Sequence, residues 1–192
     1  MDHARMATKS DGPCREIRRR ATLLIALLTL PLLFAGVPEG RDRGAGPLSE
    51  SADKDLVAAM VSDINPHLPA RDLERIAAAI VRYSAQYGVD SELVTAVLKV
   101  ESMGRPWAYS PKGAVGLMQV MPHMMHPMGL AGNAATIESN IEAGCYILAH
   151  NIRRLGEDQG ISAYFWGSRI RGFAYLEKVR EARAELRRLR PS

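Results

Sequence analysis

Residues 93–104, "LVTAVLKVESMG", decide how the rest of the chain is read. At about 100° per residue, Leu93, Val94, Val97, Leu98 and Val100 share one broad arc, with Thr95 and Lys99 opposite. The spacing is that of a helix, and Glu101 falls near the middle of its apolar arc. An ionised carboxylate without a partner is costly to remove from water. Three explanations compete. Arg105 can neutralise Glu101; Glu101 can escape to solvent at a frayed helix end; or burial disfavours its charge, leaving a carboxyl group still protonated near neutral pH and able to act as a general acid.

The pattern extends in both directions. Upstream, Leu73, Ile76, Ala77, Ile80, Tyr83 and Tyr87 keep helical spacing, Gly88 suits a helix C-terminus, and Asp90 can cap the helix that carries Glu101. Downstream, Thr136 opens a long helix with the stripe Ile137, Ile141, Cys145, Leu148, Ile152 and Leu155, ended by Gly156. "ISAYFWG" is a short apolar helix or turn. From Phe173 to Arg190 a charged helix presents Ala174, Val179, Ala182, Leu186 and Leu189 inward, with Glu177/Arg180 and Glu185/Arg188 at i,i+3 on its solvated face. Between Gly104 and Gly132 loops surround a short helix predicted at Gly116 to Met121. No repeats or alternating strands stand out, so the fold class is mainly α.

At 192 residues, with 47% hydrophobic and 24% charged residues, the chain suits one globular domain plus an extension. A basic start leads into the uncharged "ATLLIALLTLPLLFAG" at 21–36, the pattern of an export signal over residues 1–36. Cleavage near Ala35, or retention as an inner-membrane anchor over residues 21–37, both fit, and the protein is expected to be exported, to the periplasm. Residues 37–70, rich in Gly, Pro and charge, read as a flexible linker with at most one loosely attached helix at "LVAAMV". Residues 71–192 form the domain. Residues 1–36 hold six positive and three negative charges, so the net charge falls from +4 to +1 without them. A basic balance that is mostly targeting gives no support to nucleic-acid binding. Only Cys145 then remains, which excludes an internal disulfide and suits a packed core thiol.

The segment after Glu101 carries more. "ESMGRPWAYSPKGAVGLMQVMP", Glu101 to Pro122, resembles the catalytic segment of the soluble lytic transglycosylase family, whose fold is similar to goose-type lysozyme. The matching residues are Glu101-Ser102, Ser110, Gly113-Ala114, Gly116-Leu117-Met118-Gln119 and Met121-Pro122. "NIEAGCYIL" from Asn140 resembles the family's core helix, "AYFWG" from Ala163 its Ala-Tyr-Asn-x-Gly element, and "YLEKV" from Tyr175 its closing tyrosine segment. The likeness runs over about 110 residues, Leu73 to Val179.

The resemblance implies a single helical lysozyme-like domain with a glycan-binding cleft. It also implies cleavage of the β-1,4 bond between N-acetylmuramic acid and N-acetylglucosamine in peptidoglycan strands, with closure of a 1,6-anhydro ring. Glu101 would be the single general acid and base. Ser110, Gly116, Met118 and Gln119 would line the cleft, with Tyr164 and Tyr175 near Glu101 or the N-acetyl group. No cofactor or metal is implied. One sequence observation supports this chemistry: no Asp or Glu lies between Glu101 and Glu138, whereas ordinary glycosidases need a second carboxylate. Trp107 can stack on a sugar or pack against the domain.

Departures and rivals accompany the likeness. Phe165 stands where the family usually has asparagine, the loop "HMMHPMG" is atypical, and the segment from Gly167 to Tyr175 is short. His123, His126 and the surrounding methionines have a composition able to bind copper(I). A goose-type lysozyme would hydrolyse the same bond. A wall-binding module assisting an envelope secretion apparatus would need no activity.

Overall fold

The computed structural model describes residues 47–189. The predicted export signal lies outside these residues, as does the start of the linker. Six α-helices follow in order: α1 Pro47–Ile64, α2 Ala70–Tyr87, α3 Ser91–Ser102, α4 Ile137–Leu155, α5 Glu157–Trp166 and α6 Ala174–Arg187, with a single 3-10 turn at Pro122–Met124 between α3 and α4. Among the described residues no helix is long and apolar enough to cross a membrane.

Helix α3 is the hub, packed against α1, α2 and α6, while α4 lies on α2 and α5. Its boundaries follow from local chemistry. The Asp90 carboxylate accepts the Leu93 N–H at 2.9 Å, satisfying one of the free amides at the helix start. At the other end Met103 turns left-handed at φ 53°, and its N–H closes on Lys99 O. Crowding by three helices leaves α3 almost no free face. Thr95, expected to point away from the core, is fully buried, its hydroxyl donating to Ser91 O at 2.7 Å.

Helix α2 buries Ile76, Ala77, Ile80 and Tyr83, and ends at Gly88 in the left-handed conformation. Helix α4 buries Ile137, Ile141, Cys145 and Leu148, with Ile152 partly covered. On α6 the inner face is Tyr175, Leu176, Val179, Ala182 and Leu186. Ala174 and Leu189 are exposed instead, because Ala174 is the first helical residue and Leu189 follows the last. Glu177 and Arg180 pair at 3.2 Å as their spacing predicts, but Glu185 reaches across to Lys99.

Two expectations need correction. The 37–70 stretch is not a linker throughout: α1 occupies 47–64 of it and buries Val57, Met60, Val61 and Ile64 in the common core. Glycines and charges flank this segment in sequence, yet its apolar residues at i, i+3, i+4 and i+7 make a stripe that needs covering. Each such side chain removed from water contributes about 1.5–3 kcal/mol. The helix predicted at Gly116 to Met121 is also absent. Gly116 and Gln119 both have positive φ, 75° and 48°, which a right-handed helix cannot hold. The chain forms instead a compact ribbon with antiparallel bridges Tyr109–Val115 and Val115–Val120.

Candidate active site

An open cleft crosses the domain at the C-terminal end of α3, with Glu101, Ser110 and Gln119 shared by its two halves. One half, about 510 Å³, is bounded by Asn65, His67, Leu68 and Pro69 on one side and by Arg105 to Tyr109 on the other. The larger half, about 950 Å³, is bounded by Pro111, Lys112, Phe165, Trp166, Arg169 and Arg171. Glu101 is the one Asp or Glu among the described residues that line either half.

Helix α3 carries two largely enclosed carboxylates in different surroundings. Glu92, at its start, is buried and held by Arg183 at 3.0 Å and Arg187 at 2.7 Å. Glu101, at its end, pairs with no cation among the described residues. Arg105, the neighbour able to neutralise it, donates instead to Ser102 O at 2.9 Å. The hydrogen bond Glu101 does receive comes from the Tyr175 hydroxyl to Oε1, at 2.6 Å. Burial raises the Glu101 pKa above its ordinary value, and the Tyr175 bond partly opposes that rise. Burial and then the Glu101 charge hold the Tyr175 hydroxyl far above its own ordinary range, so it remains a donor. A carboxyl group poised this way can give up a proton and be stabilised afterwards as the anion.

Tyr175 is itself fixed by packing. Its ring stacks on Phe165 with centroids 5.1 Å apart and planes 16° apart, and Phe165 meets Trp166 edge-on. Where the resembling sequences usually place a polar asparagine, this chain therefore supplies an aromatic plate, 55% exposed at the cleft rim.

The ribbon from Ala108 to Val120 forms the facing wall. Ser110 accepts the Ala114 N–H through its hydroxyl at 2.9 Å, tying a tight loop, and lines both halves. Gln119 donates through Nε2 to Gly116 O at 3.0 Å and Ala108 O at 3.2 Å, which holds its left-handed backbone. Gly116 and Met118, expected in the cleft wall, are buried behind it. Their place is set by Asn140 of α4, a residue to which the sequence reading assigned no role. Its side chain accepts the Met118 N–H at 2.7 Å and donates to Val115 O at 2.9 Å and Ala134 O at 2.7 Å. A Cβ on Gly116 would meet Asn140 Nδ2 at 2.6 Å, so only glycine fits beneath it. Tyr164 also serves the wall rather than Glu101: its hydroxyl donates to Met118 O at 2.9 Å.

Trp107 and Tyr109 stand on the smaller half with 74% and 73% exposure, so neither is a core residue. Sequence reading missed the contribution of the α1–α2 turn. Asn65 Nδ2 donates to Gly104 O at 3.0 Å, fastening that turn to the end of α3 and making it a cleft wall. The "MPHMMHPM" stretch, residues 121–128, divides its sulfur: Met121 lines the cleft while Met125 is buried in the core. His123 and His126 are exposed, and no group of three or more His, Cys, Asp or Glu gathers among the described residues.

A helical domain presenting one desolvated carboxyl group in a long open cleft defines a class of site suited to acid–base work on an extended polymer. Residues 78–182 match the Transglycosylase SLT domain family, and the chain belongs to that family. It is 40% identical over 86 residues to a transglycosylase of Enterobacteria phage PRD1, covering 44% of this chain and 32% of that protein. It is also 40% identical over 58 residues to the endo-type membrane-bound lytic murein transglycosylase A of Klebsiella pneumoniae strain 342, covering 30% and 29% respectively. Membrane-bound lytic murein transglycosylase C of Edwardsiella ictaluri is 50% identical over 42 residues, 22% of this chain and 12% of that protein. The aligned part thus spans about a third or less of each of these curated relatives.

Proposed function

We propose that the protein is a peptidoglycan lytic transglycosylase in which Glu101 serves in turn as acid and base. The observation that carries this is the pairing of Glu101 with the Tyr175 hydroxyl at 2.6 Å, in a cleft whose described lining holds no second carboxylate. The protonated carboxyl group donates to the oxygen of the β-1,4 bond, and the C1–O4 bond of the N-acetylmuramic acid residue breaks. The cation left at C1 is captured by the 6-hydroxyl of the same sugar. Glu101, now a carboxylate held by Tyr175, takes the proton of that hydroxyl as the C1–O6 bond closes. No water is consumed, and Glu101 ends as it began, ready for another cycle. A hydrolase of the usual kind needs a second carboxylate as nucleophile or to activate water.

Ser110, Gln119 and the exposed Trp107 and Tyr109 serve the glycan, and Tyr164 with Asn140 and Gly116 keeps the wall in place. The export pattern over residues 1–36 and the membrane-bound names of the bacterial relatives support action in the cell envelope.

The test is incubation of the protein and of its Glu101→Gln variant with purified peptidoglycan, the released fragments being weighed by mass spectrometry. Anhydro-muramoyl ends from the unaltered protein alone are expected. Fragments heavier by one water would make it a lysozyme, equal release from both proteins would overturn Glu101 as the acid and base, and no release from either folded protein would leave a wall-binding module.

A further inference from the structure

The larger half of the cleft is charged in a way that sugar recognition does not require. Lys112, Arg169 and Arg171 line it, all three exposed, with Glu101 as the single carboxylate on the same lining. Among the described residues none of the three makes an ion pair. Elsewhere in the domain Arg75, Lys99, Arg180, Arg183 and Arg187 all meet carboxylates. Like charges gathered without partners along a concave wall repel one another and focus a positive potential into the hollow, which favours an anionic occupant.

The smaller half differs. Among the described residues its one permanent cation is Arg105, already donating to Ser102 O. The charge is thus laid on one side of Glu101, along the wall that begins at Lys112 and ends in the loop from Ser168 to Arg171.

In the polymer this site is proposed to cleave, the sugar rings and N-acetyl groups are neutral. The anionic groups are carboxylates on the peptide stems that hang from the lactyl group of every second sugar. Building on the proposed glycan-cleaving function, we infer that Lys112, Arg169 and Arg171 form a subsite for stem-peptide carboxylates, so that the protein favours strands still carrying their peptides over stripped ones. The glycan is held along Glu101, Ser110 and Gln119, and the stem leans across the Phe165 plate towards the three cations. Each pairing is exposed and modest alone, but three together amount to about ten-fold in affinity. Binding of this kind weakens with salt.

The experiment uses the full chain carrying Glu101→Gln, so that substrate is bound without turnover, and measures affinity for three soluble glycan preparations. One keeps its stems, one has had them removed by an amidase, which leaves only the short lactyl carboxylate on each N-acetylmuramic acid, and one keeps stems whose carboxylates are amidated. About ten-fold tighter binding to the first than to the other two is expected, with the difference shrinking as salt is raised. Adding Lys112→Gln, Arg169→Gln and Arg171→Gln is expected to bring all three to the same weak level while the circular dichroism spectrum stays unchanged. Equal binding of the three preparations by the parent overturns the subsite, as does a preference that survives the triple substitution. The comparison made with the parent alone needs no further variant to fold. Absence of anhydro products from the unaltered protein would sink the proposed reaction but leave the binding difference readable.

Discussion

Tyr175→Phe isolates a single hydroxyl. The variant keeps the ring, and hence the stack on Phe165 at 5.1 Å, while deleting the donor that lies 2.6 Å from Glu101 Oε1. A hydrogen bond to a charged acceptor contributes about 1.5–3 kcal/mol and one to a neutral acceptor about 1 kcal/mol, so the loss falls more heavily on the carboxylate by about 1–2 kcal/mol. Two consequences follow from that one difference. The pH at which Glu101 loses its proton rises, because the bond that favours its charged form is gone. The alkaline limb of the pH–activity profile, which reports the protonated acid, moves up with it. The anion formed after proton donation also loses its stabilisation, and turnover at the optimum falls by about 5- to 30-fold. Because Glu101 lines an open cleft, water can occupy the vacated position, which caps both effects. The assay is release of anhydro-muramoyl products from soluble glycan fragments between about pH 4 and about pH 9, the span that brackets a shifted carboxyl group. An alkaline limb that stays in place or moves down would refute the reasoning, since the hydroxyl would then not be bonded to the reacting carboxyl group.

Glu101→Gln is expected to stabilise the fold at neutral pH. Burial raises the folded carboxyl group above its ordinary 4.5, so between that pH and the raised value the unfolded chain holds fewer protons and the native protein loses stability as pH rises. The advantage of the variant in thermal melts should therefore vanish below about pH 4.5 and grow above it, and a gap that widens in acid would count against a desolvated carboxyl group. Asn140→Ala strands the Met118 N–H and the Ala134 carbonyl and removes one of the two hydrogen bonds to the Val115 carbonyl, which still accepts from the Val120 N–H. A cost of about 3–5 kcal/mol is expected, with a fall in melting temperature of roughly 10 °C, and a fall of only a degree or two would show the ribbon to be held elsewhere. Met60→Ala empties a fully buried position on α1 and should cost about 2–4 kcal/mol in chemical denaturation, whereas a tethered helix outside the core would show no change.

Much of the helical layout was legible because it depends on local rules. Asp90 as cap, Gly88 as left-handed stop and the stripes of α2 and α4 each involve residues within a few positions of one another. Where punctuation misled, tertiary contact was the missing information. Prolines, glycines and charges around α1 suggest a tether, and only the apolar surface of α2 and α3 makes a covered helix worth its loss of chain freedom. "GLMQV" has helical composition, but Asn140, 22 residues away from Met118, captures the Met118 amide and the carbonyl of the preceding Val115 in another geometry.

By itself the sequence determined that a carboxyl group sits at the end of an apolar helix with no second acid nearby, because helical periodicity and residue order are local properties. Its surroundings were not local. That Arg105 turns away, that Tyr175 arrives from 74 residues on to bond Glu101, and that Tyr164 serves the wall instead are matters of which surfaces pack together. So is the gathering of Lys112 with Arg169 and Arg171 on one side of the cleft, since the charges belong to loops that only the packing of α5 and α6 against the core brings face to face.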